Sequence, residues 1–306
     1  HSLFSFSNVK KVIRNMIEQK INDFLNSPSN SINFGDVKNI KLNENILIYW
    51  GDEAIGKITK GSKIYNPIAE AINSEFLSSE KKLLVSSKLQ NWIDNEIMTS
   101  LKPIKDKIDD NIDSQVRAIA FNCFENLGIF PIETFKNFIK DINVAAKQQL
   151  ANIGIRIGAK FFFIPSLMKK KPIEIKSILW TVFNKPNYNE VLQLPTNGRV
   201  SFTSNIKLPK AYWDSIGYIC INNFSFRIDV FEKIFFIART KYKNGPFIES
   251  ADLMNPIGCN SNQLKDILAF CGYDSINLTD EKKLYYLSKK KKNVVGVDIK
   301  FHEPLK

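Results

Sequence analysis

The chain shows no regular alternation of strand-like and helix-like stretches, and this narrows its possible folds more than any other feature. A parallel sheet needs a crossover, usually a helix, between successive strands. Here long runs of helical periodicity are instead interrupted by clusters of short β-rich segments. The expected class is therefore α+β, mostly helical, with a small antiparallel β-hairpin module. At 306 residues the chain has room for about two domains with full cores. A composition of 44% hydrophobic and 24% charged residues is that of a folded, soluble protein.

From Phe6 to Leu25, Val9, Val12, Ile13, Met16, Ile17, Ile21 and Phe24 recur at helical spacing and predict an amphipathic helix. Ser, Pro and Asn then break it. Residues 37–65 turn to β-branched and aromatic types around Gly51-Asp52 and Lys60-Gly61, which predicts an antiparallel hairpin or three-stranded unit. Helical spacing returns from about Pro67 to Asp113, with Trp92, Ile93, Ile97 and Leu101 inward and Pro103 as a kink. Further helices are expected over 114–127, 131–152, 173–184 and 229–242, the first two closed by Gly128 and Gly154. Short strands are expected near Val200, over 218–221 and over 224–228. The expected organisation is a helix and hairpin module over 1–113, a helical middle domain over 114–244, a winged-helix-like unit over 245–292 and a tail over 293–306.

Two residue types exclude much chemistry. The only histidines, His1 and His302, lie near the ends of the sequence, which removes Ser-His-Asp, Cys-His and HExxH sites. Cys123, Cys220, Cys259 and Cys271 show no CxxC spacing and lie among apolar residues, so they read as buried free thiols of a reducing compartment. No apolar run reaches the ~18 residues of a membrane span, and no signal peptide opens the chain, so the expectation is a cytoplasmic protein without a membrane partner. A first residue that is not Met suggests a piece of something longer.

Three motifs fail on inspection. Gly56 to Lys63 (GKITKGSK) approaches the phosphate loop GxxxxGK[ST], but Ser and Lys are transposed and the flanking text is strand rather than helix. Asp52-Glu53-Ala54 starts like a magnesium box and stops at Ile55. Asp109, Asn111 and Asp113 imitate a calcium loop, but Ser114 replaces the turn glycine and Ala120 the bidentate Glu. Asp106, Asp109, Asp110 and Asp113 are expected on one solvated helical face. No catalytic residue, metal site or cofactor site emerges from the chain itself.

The charge is more informative. Net charge is +12, yet only six of the 43 cations are Arg and Asn and Ile are plentiful, a pattern that AT-rich coding alone would also produce. The excess is +1 over residues 1–100, +6 over 101–200 and +5 over 201–306, an asymmetry that favours a functional basic surface. Its densest part is 153–176, where Arg156, Lys160, Lys169, Lys170, Lys171 and Lys176 outweigh Glu174 and flank Phe161, Phe162 and Phe163. Three successive aromatics cannot all face water, so the rings are expected inside a strand and the cations outside, positioned for phosphates.

A second feature lies between Glu249 and Lys292. A short helix is stopped by Pro256 and Gly258, and Asn260 or Ser261 caps a second helix carrying Leu264, Ile267, Leu268 and Cys271 as one stripe. Two strands follow, around 275–278 and 284–287. This is the order of a winged helix, in which the second helix or the wing meets nucleic acid. The second helix offers only Gln263 and Lys265 beside Asp266, so a protein-binding or packing role stays open. Lys282, Lys283 and Lys289 to Lys292 are further candidate phosphate contacts.

The segment GIRIGAKFFFIPSLMKKKP resembles the C-terminal region of alphaproteobacterial superfamily 2 (DEAD/DEAH-like) helicases related to the mitochondrial RNA-degradosome helicase. QVRAIAFNCFENLGIF, ILIYWGDEAIGKI and QLKDILAFCGYD are similar to the same region, and the likeness runs in order from about residue 4 to 287. The run Lys169–Lys171 is longer than the family's single Lys, and the chain ends soon after the winged unit. The resemblance implies an accessory region that holds single-stranded RNA or DNA, or a protein partner, for ATP-dependent motor domains upstream of His1. ATP and magnesium are implied only for those domains. The alternative is a non-catalytic scaffold.

Overall fold

A computed structural model of the chain describes residues 6–288 apart from 74, 106–107, 110, 140–141, 187–190, 193, 196–198, 204–207 and 279–281. The first elements are α1 (Phe6–Asn26), β1 (Ile32–Asn33), β2 (Ile46–Trp50), β3 (Glu53–Thr59), β4 (Ile68–Ala71) and α2 (Ser79–Lys105). The middle contains α3 (Ser114–Glu125), β5 (Ile129–Pro131), α4 (Lys136–Ile139), α5 (Val144–Ile153), β6 (Arg156–Ile157), β7 (Phe161–Phe163) and α6 (Lys170–Asn184). After β8 (Ser201–Thr203) come α7 (Lys210–Ile216), β9 (Tyr218–Ile221), β10 (Phe224–Arg227) and α8 (Ile228–Tyr242). The last are β11 (Phe247–Ile248), α9 (Ala251–Met254), α10 (Ser261–Phe270), β12 (Tyr273–Asn277) and β13 (Lys283–Leu287). The sheets run β1-β2-β3-β4, β5-β7-β6, β8-β10-β9 and β11-β13-β12, and every described pairing is antiparallel. The fold is α+β.

The chain forms two compact units, His1–Lys102 with Glu174–Leu194, and Pro103–Ile173 with Pro195–Lys306. In the first, α2 buries Val85, Leu89, Trp92, Ile93 and Ile97 and meets the four-stranded sheet at Leu89. Gly56 lies where α2 crosses: a Cβ there would sit 2.3 Å from Leu89 Cδ1 and 2.8 Å from the Glu70 carbonyl oxygen. The glycine of the near-phosphate-loop thus serves close helix-on-sheet packing inside an antiparallel strand. Residues 68–71, expected as helix, form edge strand β4, whose inward residues Ala69 and Ala71 are too small to mark a strand in the sequence. Its amides are not left open: Ala69 N donates to Gln90 Oε1 at 2.8 Å and Ala71 N to Ser86 Oγ at 2.9 Å. Lys88 Nζ donates to the carbonyls of Phe24 (2.6 Å) and Leu25 (3.1 Å), satisfying the C-terminal end of α1. Val9, Val12, Ile13 and Met16 on the same helix are exposed.

In the second unit, Asp113 caps α3 by accepting from Gln115 N at 2.8 Å, and Asp109 accepts from Asn111 N at 2.9 Å. These two carboxylates lie in a capping turn, which corrects the expected helical face; Asp106 and Asp110 lie outside the described residues. One core joins Phe161 and Phe163 of β7, Phe226 of β10, Phe231 and Ile234 of α8, Leu264 and Ile267 of α10, and Tyr285 of β13. Helix α7 had not been expected, although Pro209 before it and Gly217 after it (φ 95°) are start and stop signals. Cys123, Cys259 and Cys271 are buried and Cys220 half-buried, all as free thiols. No helix among the described residues is long and apolar enough to cross a membrane.

Candidate nucleic-acid interface

The basic segment begins where α5 ends. Gly154 takes the left-handed conformation (φ 96°), and Ile155 N returns to the Leu150 carbonyl at 2.9 Å, a glycine-terminated helix end. β6 and β7 then form a hairpin whose turn closes with Gly158 N donating to the Phe161 carbonyl at 2.8 Å. Glu232 of α8 holds this turn, accepting from Ala159 N at 2.6 Å and Lys160 N at 3.4 Å. Burial raises the Glu232 pKa, and the two amides oppose that rise. The approach is so close that a Cβ on residue 158 would lie 2.2 Å from Glu232 Oε1, so any larger residue would push the carboxylate off the turn.

The three phenylalanines are interior. Phe161 and Phe163 join the core, while Phe162 turns the other way and stacks on Phe130 at 4.8 Å between centroids. Burial of all three removes base stacking on these rings and leaves β7 as the rigid base of the hairpin.

The cations separate into three environments. Arg156 is exposed opposite Phe163, at the end of β7 from which the chain runs through a 3-10 turn (Pro165–Met168) into α6; Lys169, Lys170 and Lys171 are exposed at that helix start. The Lys169 carbonyl accepts from Ile173 N at 3.1 Å, so the three lysines occupy the first turn, where the helix dipole adds positive potential. Lys160, at the opposite end of the hairpin, is half-buried with Nζ 5.9 Å from the Phe270 ring centre, linking the turn to the end of α10.

Lys176 must be subtracted from the cluster. Every residue of α6 from Ile175 to Val182 is buried, Lys176 is 0% exposed, and its Nζ has no hydrogen-bond partner among the described residues. Burial lowers its pKa to about 7. The local excess of +5 falls to +4 once it is removed.

Of the second group, Lys265 on α10 and Lys282 before β13 are exposed. Lys283 is buried: its Nζ donates to Ser261 Oγ and to Asn262 Oδ1, and Ser261 Oγ donates to Glu249 Oε2 at 2.7 Å. That chain of bonds ties β13 to the start of α10 and to Glu249 after β11, so Lys283 has a structural task. Lys289 to Lys292 lie outside the described residues. On α10, Asp266 accepts from Asn222 Nδ2 at 2.9 Å, a contact with the β9–β10 turn that no local sequence signal announces.

No family model matches this chain, and no curated protein and no solved structure is significantly similar to it.

Proposed function

We propose that this chain holds single-stranded nucleic acid, RNA or DNA, as the accessory C-terminal part of an ATP-dependent helicase whose motor domains are not in it. The observation that carries the reading is the exposure of four cations, Arg156 on a hairpin whose turn Glu232 braces and Lys169, Lys170 and Lys171 at the start of α6. Such an array neutralises successive phosphates without reading bases, so it grips a strand while a motor elsewhere moves it. The last six elements support the same reading. Their order is helix, strand, helix, helix, strand, strand, and their sheet order is β11-β13-β12. This is the arrangement of a winged helix, a common nucleic-acid module.

A second reading, a scaffold that docks protein, rests on the outer face of that sheet. Ile248, Leu284 and Ile276 lie opposite one another across its three strands, and Ile248 and Ile276 are exposed. Anisotropy of a labelled 12-nucleotide single strand at low salt separates the two readings. The wild type is expected to bind at micromolar concentration and a Lys169→Glu, Lys170→Glu, Lys171→Glu variant at least tenfold more weakly. Equal binding by both, or none by either, favours the scaffold.

A further inference from the structure

The cleft between the β9–β10 turn and α10 has a volume of about 170 Å³, below the roughly 300 Å³ at which ordinary small-molecule sites begin. A single flat heterocycle suits it better than a cofactor. Ile221, Phe224 and Ile267 contribute apolar lining, while polar groups come from three places: Asn222 and Asn223 from the turn, Gln263 and Asp266 from the helix, and Thr203 from the end of β8. Apolar walls with a few convergent amides and one carboxylate are what a nucleobase needs, a face to cover and an edge to bond.

The polar groups are held in place before any ligand arrives. Asn222 adopts φ 55° in a two-residue turn between the paired Ile221 and Phe224, and its Nδ2 donates to Asp266 Oδ2. Gln263 Oε1 accepts from Asn260 N at 2.9 Å in the capping box of α10, so its amide Nε2 is the group left for a ligand. Asp266 Oδ1 has no hydrogen-bond partner among the described residues. The cleft therefore offers carboxylate acceptors beside an amide donor.

We infer that this cleft is a base-reading site for guanine within a bound single strand. Guanine alone among the four RNA bases carries two adjacent Watson–Crick donors, N1–H and N2–H, which match a carboxylate, next to O6, which accepts from an amide. Adenine and cytosine place an acceptor where the second donor is needed, and uracil sets its one N–H between two carbonyls. The inference rests on the proposed strand-holding role for the strand but not for the base. It adds sequence preference to a strand-holding role that otherwise contacts only phosphate.

The test compares U12 RNA with the same oligomer carrying two central guanines, using wild type, Asp266→Asn and Gln263→Glu. The second variant keeps the capping box and removes the amide donor; circular dichroism checks that both fold. The wild type is expected to bind the guanine oligomer about tenfold more tightly, within the range of one good bidentate pair. Both variants are expected to lose that preference while binding U12 as before. Equal wild-type affinity for the two oligomers, or a preference that survives in both variants, overturns the cleft and leaves the phosphate grip intact. If neither oligomer binds, the strand-holding reading fails, and guanosine monophosphate decides the cleft. Movement of the Asn222 and Asn223 amide resonances in wild type but not in Asp266→Asn supports a site for the free nucleotide; no movement overturns it.

Discussion

Gly158 and Glu232 lie 74 positions apart in the chain, and neither explains itself alone. Together they set the turn that presents Lys160, because the carboxylate fills the space a side chain at 158 would need. Gly158→Ala is expected to cost about 1–3 kcal/mol through this clash, read by urea denaturation; a cost under about 0.5 kcal/mol would mean the turn relaxes freely. Lys176 makes the opposite point. Its folded-state pKa of about 7 lies below the ordinary 10.5, so between those values the unfolded chain binds more protons and stability rises with pH. Lys176→Met is expected to raise stability at pH 7 and to remove a slope that approaches 1.4 kcal/mol per pH unit. Unchanged pH dependence in the variant would show that the ammonium is solvated. The sequence made Arg156 and Lys169 to Lys171 readable as an exposed group, but not the burial of Lys176. Helical periodicity assigns a lysine to a wet face, and a helix buried on all sides has none.

Helix α10 was legible because local signals agree: an Asn cap, Gln three residues on, a stripe of Leu264, Ile267 and Leu268, and a closing glycine. Strand β11 was not, since two residues cannot show a period, and its place beside β13 is set by pairing some 37 residues away. The same pairing puts Lys283 inside. Lys283→Met is expected to destabilise the fold by about 1–3 kcal/mol, leaving Ser261 Oγ and Asn262 Oδ1 without their donor, and to leave nucleic-acid affinity unchanged in its salt dependence. A stable variant with weakened binding would return Lys283 to the phosphate contacts. The hairpin expected over 37–65 is β2 and β3, and the two further strands of that sheet, β1 and β4, lie outside the window and are too short to announce themselves.

At the scale of the molecule, residues 174–194 belong to the unit of the first hundred residues, although they continue the helix that begins at Lys170. Composition changes along the chain do not reveal a unit assembled from two separate stretches, because the core that joins them exists only in three dimensions. The charge asymmetry was legible, being a property of the sequence alone. The central claim is that Arg156 and Lys169 to Lys171 grip about four phosphates, and counterion release measures this directly. A titration of single-strand affinity against salt is predicted to give a log-log slope near −3 for the wild type, since each phosphate contributes about −0.7. The slope is predicted to fall to about −0.7, the share of Arg156, in the Lys169→Glu, Lys170→Glu, Lys171→Glu variant. A wild-type slope near zero, or the same slope in both proteins, would contradict it.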